Sequence, residues 1–198
     1  VHSEDQVQDG GALHAAQMWI ALPDAERQRA PAFQHYPDLP RVERDGIAIT
    51  VLVGEALGVR SPVQVYTPLI GLDLVAHGNA RTTLPLTPGF EHAILVLRGA
   101  AEVAGDILLP GTLLVFARGR DSVALDCTAG TQVLLLGGEP FGPPPLLWWN
   151  FVGSTQSELE QALVDWNAGD ARFGDVPGAT TPRLIAPTLA GVKLKDAT

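Results

Sequence analysis

Gly89-Phe90-Glu91-His92-Ala93-Ile94-Leu95-Val96-Leu97-Arg98-Gly99 is the stretch on which the fold turns. Its apolar centre, Ala93 to Leu97, is too short for a helix and is bounded by glycines, which marks a buried strand. Working outward, Glu102-Val103-Ala104-Gly105-Asp106 reads as a hairpin turn. Pro110-Gly111 opens the next run, Leu113 to Ala117, and Ser122 to Cys127 alternates apolar and polar residues. Val133 to Leu136 stops at Gly137-Gly138. Upstream, Ile47 to Val53 is β-rich and stops at Gly54, and Val63 to Val75 holds enough residues for a strand pair. Short strands at this spacing predict an all-β sandwich or small barrel. The 21 glycines and 16 prolines in 198 residues suit a chain with many tight turns.

The flanks read differently. Leu13 to Leu22 is apolar enough for a buried strand, ended by Pro23. Asp24 to Arg29 can form one helical turn with Asp24 as cap. Residues 30–40 contain Pro31, Pro37 and Pro40 and read as a linker. Near the other end, Thr155 or Ser157 can cap a helix whose Leu159, Leu163 and Trp166 share one face, with Gly169 as its stop. From Asp175 the chain is rich in Pro, Thr and Ala without a period, as expected of an irregular tail that lies on the surface or wraps a partner.

Composition narrows the function classes. The formal net charge is −9 and no Lys/Arg cluster occurs, which argues against direct nucleic-acid binding. The single cysteine, Cys127, excludes a disulfide framework and reads as a small half-buried hydrophobe. No signal peptide and no membrane-length apolar run is found, so the expectation is a soluble, cytoplasmic protein without membrane contact.

The recurrence from Gly89 through Gly99 to Pro110-Gly111 resembles the grammar of a cupin-type barrel. A metal-binding strand of that type carries His-x-His where this chain has His92 followed two residues on by Ile94, and the later strand Gly111 to Ala117 has no histidine. His92 is therefore expected to be a barrel-mouth histidine hydrogen-bonded to backbone. Trp148 and Trp149, on an extended segment, would face opposite ways, one into the core and one toward a groove or partner. No Ser/His/Asp set surrounds Ser3, Ser61 or Ser122. The Gly137-Gly138-Glu139-Pro140-Phe141-Gly142 stretch leads to no helix, so it is not a phosphate cradle.

His2 and Glu4 are the remaining candidates. On a strand, residues two apart point to one face, so an imidazole and a carboxylate can converge on a metal. Two ligands do not hold a metal firmly, and His14, His35 and His77 show no partner at ligand spacing. On spacing alone the pair is a weak signal, and two solvated residues at a terminus is the favoured reading.

The separated stretches His2-Ser3-Glu4, Gly10 to Pro23, Pro31-Ala32-Phe33-Gln34, Leu135-Leu136-Gly137-Gly138-Glu139-Pro140 and Asn150-Phe151-Val152 together resemble the pirin family of bicupins. The helix at Glu158-Leu159-Glu160-Gln161-Ala162 belongs to the same resemblance, which runs from the first residues to about Gly174. It implies a cupin (double-stranded β-helix, jelly-roll) barrel with a remnant of a second cupin and one C-terminal α-helix. The implied division is 1–30 as remnant of the N-terminal cupin, 31–40 as connector, 41–153 as C-terminal barrel, 154–174 as helix and 175–198 as tail. In the family, the first barrel supplies two histidines from a His-Pro-His-type stretch and a His and Glu from a His-Ser-Glu stretch. His2 and Glu4 match the second pair, and the first pair is not in this sequence.

The family is similar to quercetin 2,3-dioxygenases, in which a divalent metal, usually iron, engages a flavonol and dioxygen, while some members act as regulatory partners. The resemblance thus implies a metal-dependent dioxygenase acting on a small aromatic substrate. With two of four ligands absent, the chain alone is expected to be inactive, and a metal is expected only if the site is completed from outside it. The alternative is a non-enzymatic interaction or regulatory module, using the Trp148/Trp149 segment or forming a homodimer through residues 12–22. A third reading is a small-molecule-binding barrel with His92 as its one polar anchor.

Overall fold

The computed structural model describes residues 14–140 and 142–195, and the chain divides into two compact units. The first unit is residues 34–140. Its strands in chain order are β1 (Arg41–Arg44), β2 (Ile47–Val53), β3 (Glu55–Ala56), β4 (Val59–Arg60), β5 (Leu69–Ala76), β6 (Ala80–Pro85), β7 (Glu91–Arg98), β8 (Ala101–Val103), β9 (Asp106–Leu108), β10 (Leu113–Phe116), β11 (Ser122–Cys127) and β12 (Gln132–Gly138). Six of them form one antiparallel sheet in the order β1-β2-β5-β12-β7-β10, and four form a second in the order β6-β11-β8-β9. The short pair β3-β4 stands apart from both sheets.

The alternation of side chains explains the two layers. Ile47, Ile49 and Val51 of β2 are fully buried, and the residues between them are half-buried. Ala80, Thr82 and Leu84 of β6 are buried while Arg81, Thr83 and Pro85 are exposed. Both sheets turn such period-two sets inward, and Leu72, Leu74, Ile94, Val96, Val133 and Leu135 meet Leu84, Val103, Val123 and Leu125 in one continuous core. Burying each large aliphatic side chain contributes about 1.5–3 kcal/mol relative to leaving it in water. The cupin barrel expected from the stretch around His92 is the fold observed.

Three hairpins use two-residue turns with a non-glycine followed by glycine, both at positive φ. These are Asp45-Gly46, Leu57-Gly58 and Ala104-Gly105. Positive φ at both central residues matches the right-handed twist of the flanking strands. The turn expected at Glu102 to Asp106 is the third of these. Asp-Gly at 45–46 carries the strongest hairpin signal in the chain, and it sets β1 against β2.

Some expectations need correction. Val63 to Val75 yields only β5, which begins at Leu69. Pro62 and Pro68 remove ladder donors, and the buried Ser61 hydroxyl donates to the Leu52 carbonyl instead (2.8 Å). Residues 14–22 form no strand, and Met18, Trp19 and Ile20 are exposed, because among the described residues no strand pairs with them. At 24–29 a turn forms, with the Glu26 and Arg27 amides donating to the Pro23 carbonyl.

The second unit comprises described residues 14–33 and 142–195. It holds the hairpin β13 (Leu146–Trp148) and β14 (Phe151–Gly153), the helix α1 (Gln156–Ala168) and a 3-10 turn at Ala171–Phe173. Thr155 caps α1 by accepting from the Glu158 amide, and Gly169, in the left-handed region, ends it. Leu159 and Ala162 are buried, with Leu163 and Trp166 packed beside them. Glu158 accepts from both terminal nitrogens of Arg27 (3.1 Å each) and from the Ser154 amide (2.7 Å).

The tail after 175 is irregular but wraps its own helix. Ala186 and Leu189 are buried against α1 and β13-β14. The Trp166 indole donates to the Leu184 carbonyl, and the Asn167 amide both accepts from and donates to the Ala186 backbone. Gln156 does the same for Leu194 and Val192. Side chains of one helix thus satisfy a segment that has no ladder of its own.

Two tests follow from this packing. A Cβ at Gly99, which sits at φ +77, would lie 2.4 Å from the buried Thr131 hydroxyl and 2.7 Å from the Thr131 Cα. Gly99→Ala should therefore lower stability by about 1–3 kcal/mol in a urea titration. Hydrogen bonds from Arg27, then from the Ser154 amide, hold the Glu158 carboxyl below its usual range. A depressed carboxylate contributes stability above its ordinary pKa of about 4.3 and loses it as pH falls through the folded value. Glu158→Gln should lower thermal stability at neutral pH and narrow the gap from wild type on acidification.

Candidate functional site

The interior of the strand-built unit opens into a cavity of about 300 Å³. Its walls are Ile70 and Leu72 from β5, Leu84 from β6, Leu135 from β12, and Leu57 from the β3-β4 turn. His92 supplies the polar group of this wall, with Glu55 and Thr87 contributing exposed polar atoms. Glu55 is ion-paired with Arg60.

His92 lies on β7 between Gly137 of β12 and Phe116 of β10 in the register. It faces inward on the same phase as Ile94 and Val96, and only 3% of it is exposed. A Cβ at position 137 would lie 2.5 Å from its Cδ2 and 3.1 Å from its Nε2. Glycine there leaves room for the ring to lie against β12, which gives Gly137 a packing role. The ring also sits 6.0 Å from Phe90. The expected backbone hydrogen bond is not found: Nδ1 is buried and makes no hydrogen bond among the described residues. Burial lowers the imidazole pKa, so the ring is held neutral.

His2 and Glu4 lie outside the described residues. Among the described residues, no group of three or more His, Cys, Asp or Glu side chains comes together in a way that can hold a metal ion. His14 and His35 are exposed, and His77 pairs with Glu43 at 3.6 Å on the surface. These side chains do not fit a metal centre. Cys127 is buried, and burial followed by the nearby Asp126 charge raises its thiol pKa, which suits a core residue.

The second unit has a larger cavity, about 790 Å³, lined by Trp19, Trp149, Trp166, Phe173 and Arg183 among others. The tryptophan pair departs from the expectation. Trp148 and Trp149 are not on one extended run, because Trp149 takes φ 51 in the two-residue turn between β13 and β14. Trp149 packs edge-on against Phe151 and Trp166 at 5.5 and 5.7 Å, and the Trp148 indole donates to the Pro187 carbonyl. Arg183 stacks over Trp166 at 4.7 Å. Leu57 and the tail segment at Arg183 were missed as wall residues, since neither carries a local signal of pocket lining.

Comparison with known proteins agrees with this architecture. The Pirin C-terminal cupin domain matches residues 71–174. A Pseudomonas aeruginosa protein named "Putative quercetin 2,3-dioxygenase" is 44% identical over 188 residues, covering 95% of this chain and 60% of the relative. A "Pirin-like protein" of Caulobacter vibrioides is 35% identical, covering 84% of this chain and 58% of the relative. The crystal structure of a quercetin 2,3-dioxygenase from Acinetobacter baumannii superposes with a TM-score of 0.84 at 46% identity, covering 91% of this chain and 60% of that one. The chain thus spans about 60% of the length of these relatives. With barrel, helix and sequence in agreement, the chain belongs to the pirin family.

Proposed function

We propose that this chain is part of a metal-dependent dioxygenase of the quercetinase type, with a small aromatic compound as substrate and iron as the metal. The observation that carries the reading is the match, at 46% identity and over 91% of the chain, to a structure named quercetin 2,3-dioxygenase. The barrel of residues 34–140 has one inward histidine and no ligand cluster among the described residues, so its role in this reading is structural. In it, residues 1–30 belong to the metal-bearing barrel, residues 31–40 connect, and the strands between Arg41 and Gly138 form the second. His2 and Glu4 are two of the four ligands; a metal bound there would supply redox contact with dioxygen and the substrate. The other two ligands are not among the 198 residues. The chain alone is therefore expected to be inactive.

The test is a fusion of this chain to the N-terminal part of the Acinetobacter relative that it does not cover. Stoichiometric iron and dioxygen uptake dependent on quercetin are expected. His2→Ala or Glu4→Ala should lower metal affinity by at least about tenfold, since even indirect support for a ligand is worth about 10–100-fold. Full iron without flavonol-dependent uptake overturns the activity. Unchanged metal affinity in both variants removes these residues from the site.

One observation favours a second reading, a protein-interaction module. Met18, Trp19 and Ile20 are 41%, 50% and 56% exposed in succession, and contiguous exposed apolar surface of this kind marks interaction sites. A homodimer through residues 12–22 predicts a concentration-dependent doubling of mass in light scattering that Trp19→Asp with Ile20→Asp abolishes. A monomer at all concentrations overturns it.

A further inference from the structure

We propose that the barrel cavity beside His92 is a binding site for a small neutral hydroxyl compound with an apolar body, a simple phenol or alcohol, anchored by its hydroxyl on Nδ1. The proposal stands apart from the oxygenase reading and uses other residues.

Two observations meet here. The first is the buried Nδ1 without a hydrogen bond among the described residues, on a side chain 97% removed from solvent by its 3% exposure. Native structures rarely leave such a nitrogen unpaired. The Cδ2–Nε2 edge lies against Gly137, which places Nδ1 on the opposite edge of the ring. The second is the cavity that the ring lines, at about 300 Å³ the small end of ligand pockets. It has room for one or two rings and apolar walls of Ile70, Leu72, Leu84 and Leu135.

The chemistry of the ligand follows. A lone water seeks about 2–4 polar partners, which the aliphatic part of the wall, Ile70, Leu72, Leu84 and Leu135, does not supply. A neutral imidazole has one nitrogen that donates and one that accepts. A hydroxyl can do either, so it satisfies Nδ1 in both tautomers. A carboxylate only accepts and an ammonium only donates, and each carries a charge that apolar walls disfavour.

The experiment is an NMR titration of the isotope-labelled chain near neutral pH with 4-methylphenol, toluene and benzoate. Expected is saturable binding of 4-methylphenol that shifts the His92 ring nitrogens, about tenfold tighter than toluene, with no binding of benzoate. His92→Phe should bring 4-methylphenol and toluene to equal affinity. Ala56→Trp, at the cavity wall, should weaken both. If His92→Phe does not fold, the ring-nitrogen shifts and Ala56→Trp still decide. Non-saturable binding, equal affinity for 4-methylphenol and toluene in the wild type, or shifts that leave His92 unmoved overturns the proposal.

Discussion

The alternation of inward and outward side chains in the two facing sheets is the constraint on which everything else rests. Because the period is two, a slip of one residue in any strand would send its aliphatic set to solvent and bring charges such as Arg81, Asp126 or Glu102 inside. The register is pinned at both ends by tight turns. Asp45-Gly46 fixes β2, Ala104-Gly105 fixes β8, and Gly99 lets the chain pass close over Thr131. The position of His92 follows from the same phase. It is inward because Ile94 and Val96 are, and it fits because position 137 lacks a side chain.

Much of this was legible in the residues. The apolar runs between glycines mark β2, β7, β11 and β12, and the helix could be read from its cap to its stop. β6 was not legible, because its inward set is Ala80, Thr82 and Leu84, and a threonine whose hydroxyl donates to Asp45 does not read as core. Residues 14–22 show the opposite failure. Their composition suits a strand, yet a strand exists only where another offers its hydrogen bonds, and composition cannot supply that. The His92 environment was half legible. The lack of a second histidine was visible, but the orphaned Nδ1 depends on what the neighbouring strands β10 and β12 place around it.

The likeness to the quercetin 2,3-dioxygenase structure covers most of this chain and 60% of the other. What the described residues provide is a well-packed barrel with a single inward imidazole, and a helical unit rich in aromatic rings. Among the described residues, neither has the clustered imidazoles and carboxylates that metal chemistry needs.

The irregular tail has one last implication. Its amides at Ala186 and Leu194 and its carbonyls at Leu184, Pro187 and Val192 are bonded by side chains of α1 and β13, across separations of 18 to 39 residues. Those made by α1 vanish together when the helix melts. Structureless by inspection, the segment should behave as one foldon with α1, resisting amide exchange and protease to the same degree as the helix that tethers it.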